Sequence, residues 1–65
     1  MKHRFVIIQK DNKPLMFDDG YVIVYPNKQE AYMDFNSKYD KMIMPLVKYK
    51  RSEMYSTYNK LSIGM

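Results

Sequence analysis

The segment Tyr25-Pro26-Asn27-Lys28-Gln29-Glu30-Ala31 constrains the fold more than any other part of the chain, because a run of strand formers stops there and a capped helix begins. Asn27 followed by Glu30 makes a capping box: the Asn side chain accepts from the third helical N–H while the Glu carboxylate reaches back to the cap N–H. The strand before it, Tyr21 to Tyr25, follows Asp18-Asp19-Gly20. The centre of the chain therefore reads turn, strand, cap, helix.

Before this segment, Phe5-Val6-Ile7-Ile8 within His3 to Gln9 is apolar at both alternating positions, which suits a central strand covered on both faces. Asp11-Asn12-Lys13-Pro14 supplies turn formers, with Asn12 able to adopt a left-handed conformation. Leu15-Met16-Phe17 is a short second strand, and the Asp19-Gly20 pair favours a tight hairpin into the third. Beyond the cap, Ala31, Tyr32, Phe35, Tyr39 and Met42 fall within one arc of about 100°, with Glu30, Asp34, Lys38 and Lys41 on the far side. Met33 lies outside that arc and is expected to be exposed. Pro45 lacks an N–H and belongs at a sheet edge or strand start, so Leu46 to Lys50 is expected to form an edge strand. Met54, Tyr55, Tyr58 and Leu61 recur at helical spacing behind Ser52 as a cap, with Gly64 closing that segment. The expected fold is α+β: a small antiparallel sheet in β-β-β-α-β order, one amphipathic helix packed on it, and a short C-terminal helix, all in one domain over residues 1–65.

A chain of 65 residues buries only about 60% of the surface that its unfolded form exposes. Without cysteine, or a Cys/His cluster for a structural metal, it lacks the usual reinforcements of very small folds. Docking on a partner or formation of a homo-oligomer is the remaining route to added stability. With 46% hydrophobic and 28% charged residues, it is too apolar to be disordered. The absence of cysteine suits a reducing cytoplasm. The apolar run Phe5 to Ile8 is too short for the core of a signal peptide, and no stretch reaches the roughly 18 apolar residues of a membrane span.

Catalytic parts are scarce. The imidazole of His3 stands near a terminus, and Ser37, Ser52, Ser56 and Ser62 are not in a nucleophile-elbow context. Asp18 and Asp19 are consecutive turn residues with no further oxygen ligands at calcium-loop spacing. Two glycines cannot build a phosphate cradle. No enzyme activity, cofactor or metal is expected.

Charge is uneven. Residues 1–47 carry a net +1, whereas residues 48–65 carry +3 through Lys48, Lys50, Arg51 and Lys60 against Glu53. These cations interleave with Tyr49, Tyr55 and Tyr58, a pairing that suits phosphate neutralisation and base stacking. The same spacing also fits a helix that turns Tyr55 and Tyr58 inward with Met54 and Leu61 while the cations meet solvent. Seven tyrosines and seven methionines exceed what so small an interior can hold, and such residues are enriched where proteins meet. A coding sequence rich in A and T would enrich Tyr, Lys, Asn and Ile as well.

Phe5-Val6-Ile7-Ile8, Lys13-Pro14-Leu15-Met16-Phe17, Asp19-Gly20-Tyr21 and Asn27-Lys28-Gln29-Glu30-Ala31, spanning residues 4–36, together resemble small accessory proteins of phages that infect Gram-positive bacteria. The resemblance implies a non-enzymatic, host-modulating or anti-defence role and assigns no binding residues. The acidic surface of a DNA mimic is absent. The expected function is a cytoplasmic module that binds and inhibits or modulates a larger protein, with Met33, Tyr49, Tyr55 and Tyr58 as anchors. The alternative is a small nucleic-acid-binding regulator that places Lys48, Lys50, Arg51 and Lys60 on phosphates.

Overall fold

A computed structural model describes residues 3–62. It is a small α+β fold with a two-stranded antiparallel sheet and helices: β1 (Phe5–Gln9), β2 (Val22–Ile23), α1 (Lys28–Asp34), β3 (Asp40–Pro45), α2 (Leu46–Tyr49), α3 (Met54–Thr57) and β4 (Leu61–Ser62). β1 pairs antiparallel with β3, from Phe5 opposite Pro45 to Gln9 opposite Asp40, with a bulge beside Gln9. β2 pairs parallel with β4.

The apolar run of β1 has the central place expected of it. Val6, Ile7 and Ile8 are buried, and because side chains alternate across a strand they serve two cores. Val6 and Ile8 join Met44, Leu46, Tyr49 and Val22 on one face, while Ile7 joins Tyr25 and Ala31 on the other, with Phe35 and Ile43 packed against them. On its second edge β1 bonds to the segment that follows: the Gln9 N–H donates to the Lys13 carbonyl, the Leu15 N–H to Ile7, and Phe5 and Tyr25 exchange both bonds.

That segment turns twice by the same device. In Lys10-Asp11-Asn12 the Asn12 N–H donates to the Gln9 carbonyl, and in Asp18-Asp19-Gly20 the Gly20 N–H donates to Phe17. In each loop the middle aspartate accepts from the N–H two residues on, Lys13 or Tyr21, and the last residue has positive φ, 66° at Asn12 and 89° at Gly20. This is the three-residue hairpin with a left-handed final position. A Cβ at Gly20 would meet no neighbour, so the penalty of Gly20→Ala is conformational alone. We expect it to lower stability by about 1 kcal/mol, read from the midpoint of urea unfolding.

Four sequence expectations are corrected. First, Leu15–Phe17 forms only the single bridge of Met16 to Val22, with a second one just before it from Ile8 to Pro14, rather than a regular strand. Second, the long amphipathic helix stops at Asp34. Asn36 and Asp40 capture the backbone beyond it: the Asp40 carboxylate accepts from the Asn36 N–H at 2.8 Å and the Asn36 side chain from the Lys38 N–H at 2.9 Å. Local bonds of this kind compete with helix continuation.

Third, the strand near Pro45 lies before it, and Leu46–Tyr49 is a helical turn. A strand would send Leu46 and Tyr49 to opposite faces, whereas one helical turn sends both into the same core. Fourth, the C-terminal helix is a single turn after which the chain extends into β4. Ser52 does not cap it; its hydroxyl donates to the Tyr49 carbonyl at 2.6 Å. Gly64 lies outside the described residues. The expected β-β-β-α-β order is therefore replaced by β-β-α-β-α-α-β. Half of the expected capping box opens α1: the Asn27 side chain accepts from the Glu30 N–H at 2.8 Å, while among the described residues the Glu30 carboxylate makes no return bond to the Asn27 N–H. Among the described residues no helix is long and apolar enough to cross a membrane.

Candidate interaction surface

α1 lies over one face of β1, and its sequence divides its sides. Ala31 is buried, and Phe35, just past the helix end, packs with it against Ile7. On the flank towards β3, Lys28, Tyr32 and Phe35 line a hollow with Lys41, Met42 and Ile43, of about 280 Å³. The opposite flank is tied down where the Tyr25 hydroxyl donates to the Asp34 carboxylate at 2.7 Å. Met33 stands on the outward side, 77% exposed, beside Tyr32 at 61%. Tyr39, in the loop from α1 to β3, is 60% exposed.

Each of these two tyrosines carries a cation over its ring, Lys28 at 6.0 Å from the Tyr32 centroid and Lys38 at 5.5 Å from that of Tyr39. The surface is thus aromatic and positive together. The periodicity had assigned Tyr32 and Tyr39 to the apolar arc. A preceding lysine does not by itself mark a surface ring, since Tyr49 also follows a lysine and is buried.

The outer edge of β3 borders the same hollow. Phe5, Ile7 and Gln9 direct backbone groups towards Tyr25, Leu15 and Lys13. By the alternation of an antiparallel ladder, Val6 and Ile8 then face β3, and their register partners Met44 and Met42 face back. Ile43 consequently points its backbone groups outward, and Pro45 holds the next outward position, with its carbonyl turned into α2 as that helix's N-cap. Among the described residues no backbone bond outside the β1–β3 ladder engages Ile43. Proline, which has no N–H, is tolerated at that outward position.

The expected anchors separate. Met33 is on the surface, but Tyr49 is fully enclosed, which corrects its reading as a contact residue. Its hydroxyl donates to the Tyr58 carbonyl at 2.6 Å and its ring meets Tyr55 edge-on, with centroids 5.9 Å apart. Tyr55 and Tyr58 are half-buried against the same core. Lys48, Lys50, Arg51 and Lys60 are exposed, so the C-terminal segment presents its charges while its rings are engaged inward.

His3 is exposed and lines, with Arg4, Pro45, Leu46, Val47 and Lys50, a hollow of about 230 Å³. Val47 is 62% exposed there. Phe17, Asp18, Asp19, Tyr21, Leu61 and Ser62 line a wider depression of about 590 Å³. The adjoining β2 is bonded on both sides, the Ile23 N–H to Leu15 and the Val22 N–H to Lys60, so it has no open edge to offer. Among the described residues no three His, Cys, Asp or Glu side chains gather as a metal set.

Two hydroxyls are held neutral by the fold. Burial, then the bond to the Asp34 carboxylate, raises the pKa of Tyr25; burial, then the neighbouring Tyr55 and Tyr58, pushes Tyr49 up to about 12. Because the native state holds these protons more tightly than the unfolded chain, their contribution is complete below the ordinary tyrosine value of about 10 and is lost as pH climbs through the native value. Stability is expected to fall between about pH 10 and the native value by up to about 1.4 kcal/mol per pH unit for each group. Urea unfolding across an alkaline series checks this, with Tyr49→Phe showing the shallower decline.

Comparison with protein-family models, curated proteins and solved structures gives no match to this chain.

Proposed function

We propose that this protein is a non-enzymatic interaction module that binds a larger protein and modulates it. Tyr32, Met33 and Tyr39, on the outward side of α1 and its following loop, supply the contact. The observation that carries the reading is the exposure of these three side chains on a chain whose buried core is small. Tyr and Met are enriched at protein interfaces, where a ring covers much area with few rotatable bonds and a thioether adapts its shape. Lys28 and Lys41 flank Tyr32 and Lys38 flanks Tyr39, which favours an acidic partner surface and speeds encounter with it.

Nucleic-acid binding through the C-terminal strip has less support. Lys48, Lys50, Arg51 and Lys60 are available to phosphates, but Tyr49 is enclosed and Tyr55 and Tyr58 pack inward, leaving few ring faces for bases. The test is capture of the partner from the native cell after nuclease treatment, comparing wild type with Tyr32→Ala/Met33→Ala. One dominant protein, retained by wild type and lost by the variant, is expected. Equal recovery by both, with both folded, refutes the proposed surface.

A further inference from the structure

The hollow between α1 and β3 combines features that are not needed for a flat contact, and the proposal built on them rests on the interaction reading above. We propose that it receives an extended, acidic peptide segment of the partner, which adds a strand to the open edge of β3.

The backbone provides the first part. Ile43 directs its N–H and carbonyl away from β1, so a guest strand finds one donor and one acceptor there; the Pro45 carbonyl, at the N-cap of α2, is taken up by the first turn of that helix. Strand addition draws its affinity from such main-chain bonds and its specificity from pockets for alternate side chains. The bulge beside Asp40 at one end of β3 and Pro45 at the other confine the open edge to its centre. Bulges and prolines limit indiscriminate edge pairing, so only a short segment fits.

The pocket provides the second part. Tyr32, Phe35, Met42 and Ile43 offer apolar surface, and at about 280 Å³ the hollow is at the small end for a cofactor site but suits one or two side chains. The third part is charge. Lys28 and Lys41 are its charged lining residues; the Lys41 ammonium donates to the Asn12 side chain, a neutral acceptor that leaves its charge uncompensated. On the helical wheel Glu30 and Asp34 fall on the other side of α1 from Lys28 and Tyr32. A guest with acidic residues on either side of an apolar one matches this lining.

A second copy of the chain is a poorer occupant. Antiparallel self-pairing centred on Ile43 sets Pro45, with no N–H, opposite Lys41 of the other copy, and each molecule brings the same lysines to the seam.

The test is selection of short random peptides by ribosome display on the folded full chain, followed by synthesis of the most enriched peptide. We expect Asp or Glu alternating with apolar residues. Methylating the peptide's alternate backbone amides in the register that faces Ile43 should weaken binding about tenfold, the worth of one or two hydrogen bonds, and methylating the other register should change little. This arm leaves the protein unaltered. Lys28→Glu/Lys41→Glu should weaken the same peptide by at least a similar factor in fluorescence anisotropy and lose that effect at high salt. No enrichment, enrichment without acidic residues, or tolerance of methylation in both registers overturns the proposal. Met33 does not line the hollow, so dependence of partner capture on Met33 alongside tolerance of methylation means that strand addition fails while the interaction reading stands. Failure of capture means that the interaction reading itself has failed.

Discussion

Tyr49→Ala is expected to remove most of the protein's stability and to leave it largely unfolded in moderate urea where wild type remains native. The ring is completely buried among Val6, Ile8, Met44 and Leu46, and its hydroxyl closes a bond of 2.6 Å to the Tyr58 carbonyl. Truncating a buried aromatic ring costs about 3–5 kcal/mol, because the cavity is only partly refilled. A domain of this size has on the order of 3–10 kcal/mol in total.

Tyr49 also joins the C-terminal residues to the sheet: Tyr55 packs on its ring and Tyr58 accepts its proton. Its loss should therefore free residues 50–62 before β1 and β3, seen as early amide exchange in that segment. Tyr49→Phe keeps the ring and loses only the hydrogen bond, for about 1 kcal/mol. A Tyr49→Ala protein within that margin of wild type would mean that the α2 turn does not pack as described.

The second large effect concerns binding. Tyr32→Ala/Met33→Ala should weaken association with the partner about a hundredfold, since a few aromatic or adaptable anchors carry most of an interface's energy. Stability should change by about 0.5 kcal/mol or less, as for surface positions outside special contacts. Alanine is also the better helix former at both sites, so the loss cannot be assigned to a weakened α1. The two variants thus separate the roles that a count of seven tyrosines had merged: Tyr49 supports the interior, whereas Tyr32 stands outside it.

That separation marks what could be read from the chain. Signals confined to a few neighbours were legible: the Asn27–Glu30 cap, the left-handed Asn12, the turn at Gly20 and the doubly buried run of β1. Each depends on chemistry between residues close in sequence or on alternation within one strand. What was misread depended on distant partners. The helix was extended through Met42 because its spacing allowed it, but Asp40 binds the Asn36 N–H and pairs with Gln9, and this tertiary arrangement ends the helix. Leu46-Val47-Lys48-Tyr49 is β-prone taken alone, yet folds as a helical turn because the core lies to one side of it.

The candidate surface was legible in one residue. Met33 fell outside the apolar arc and is exposed, whereas Tyr49 took its place among the anchors from the surplus of tyrosines over the small interior, in which it is in fact enclosed. The open edge of β3 was not legible, since the strand had been placed after Pro45 instead of before it.

The most direct test of the proposed surface is methionine oxidation by dilute peroxide, followed by mass spectrometry for the free protein and for its complex with the captured partner. In the free protein Met33, at 77% exposure, should oxidise much faster than Met44, at 8%, which serves as an internal reference. The expected result is that complex formation slows Met33 oxidation about tenfold or more, as full burial of an anchor requires, and leaves Met44 as slow as before. Oxidation of Met33 at its free rate within a stable complex would contradict the proposed surface.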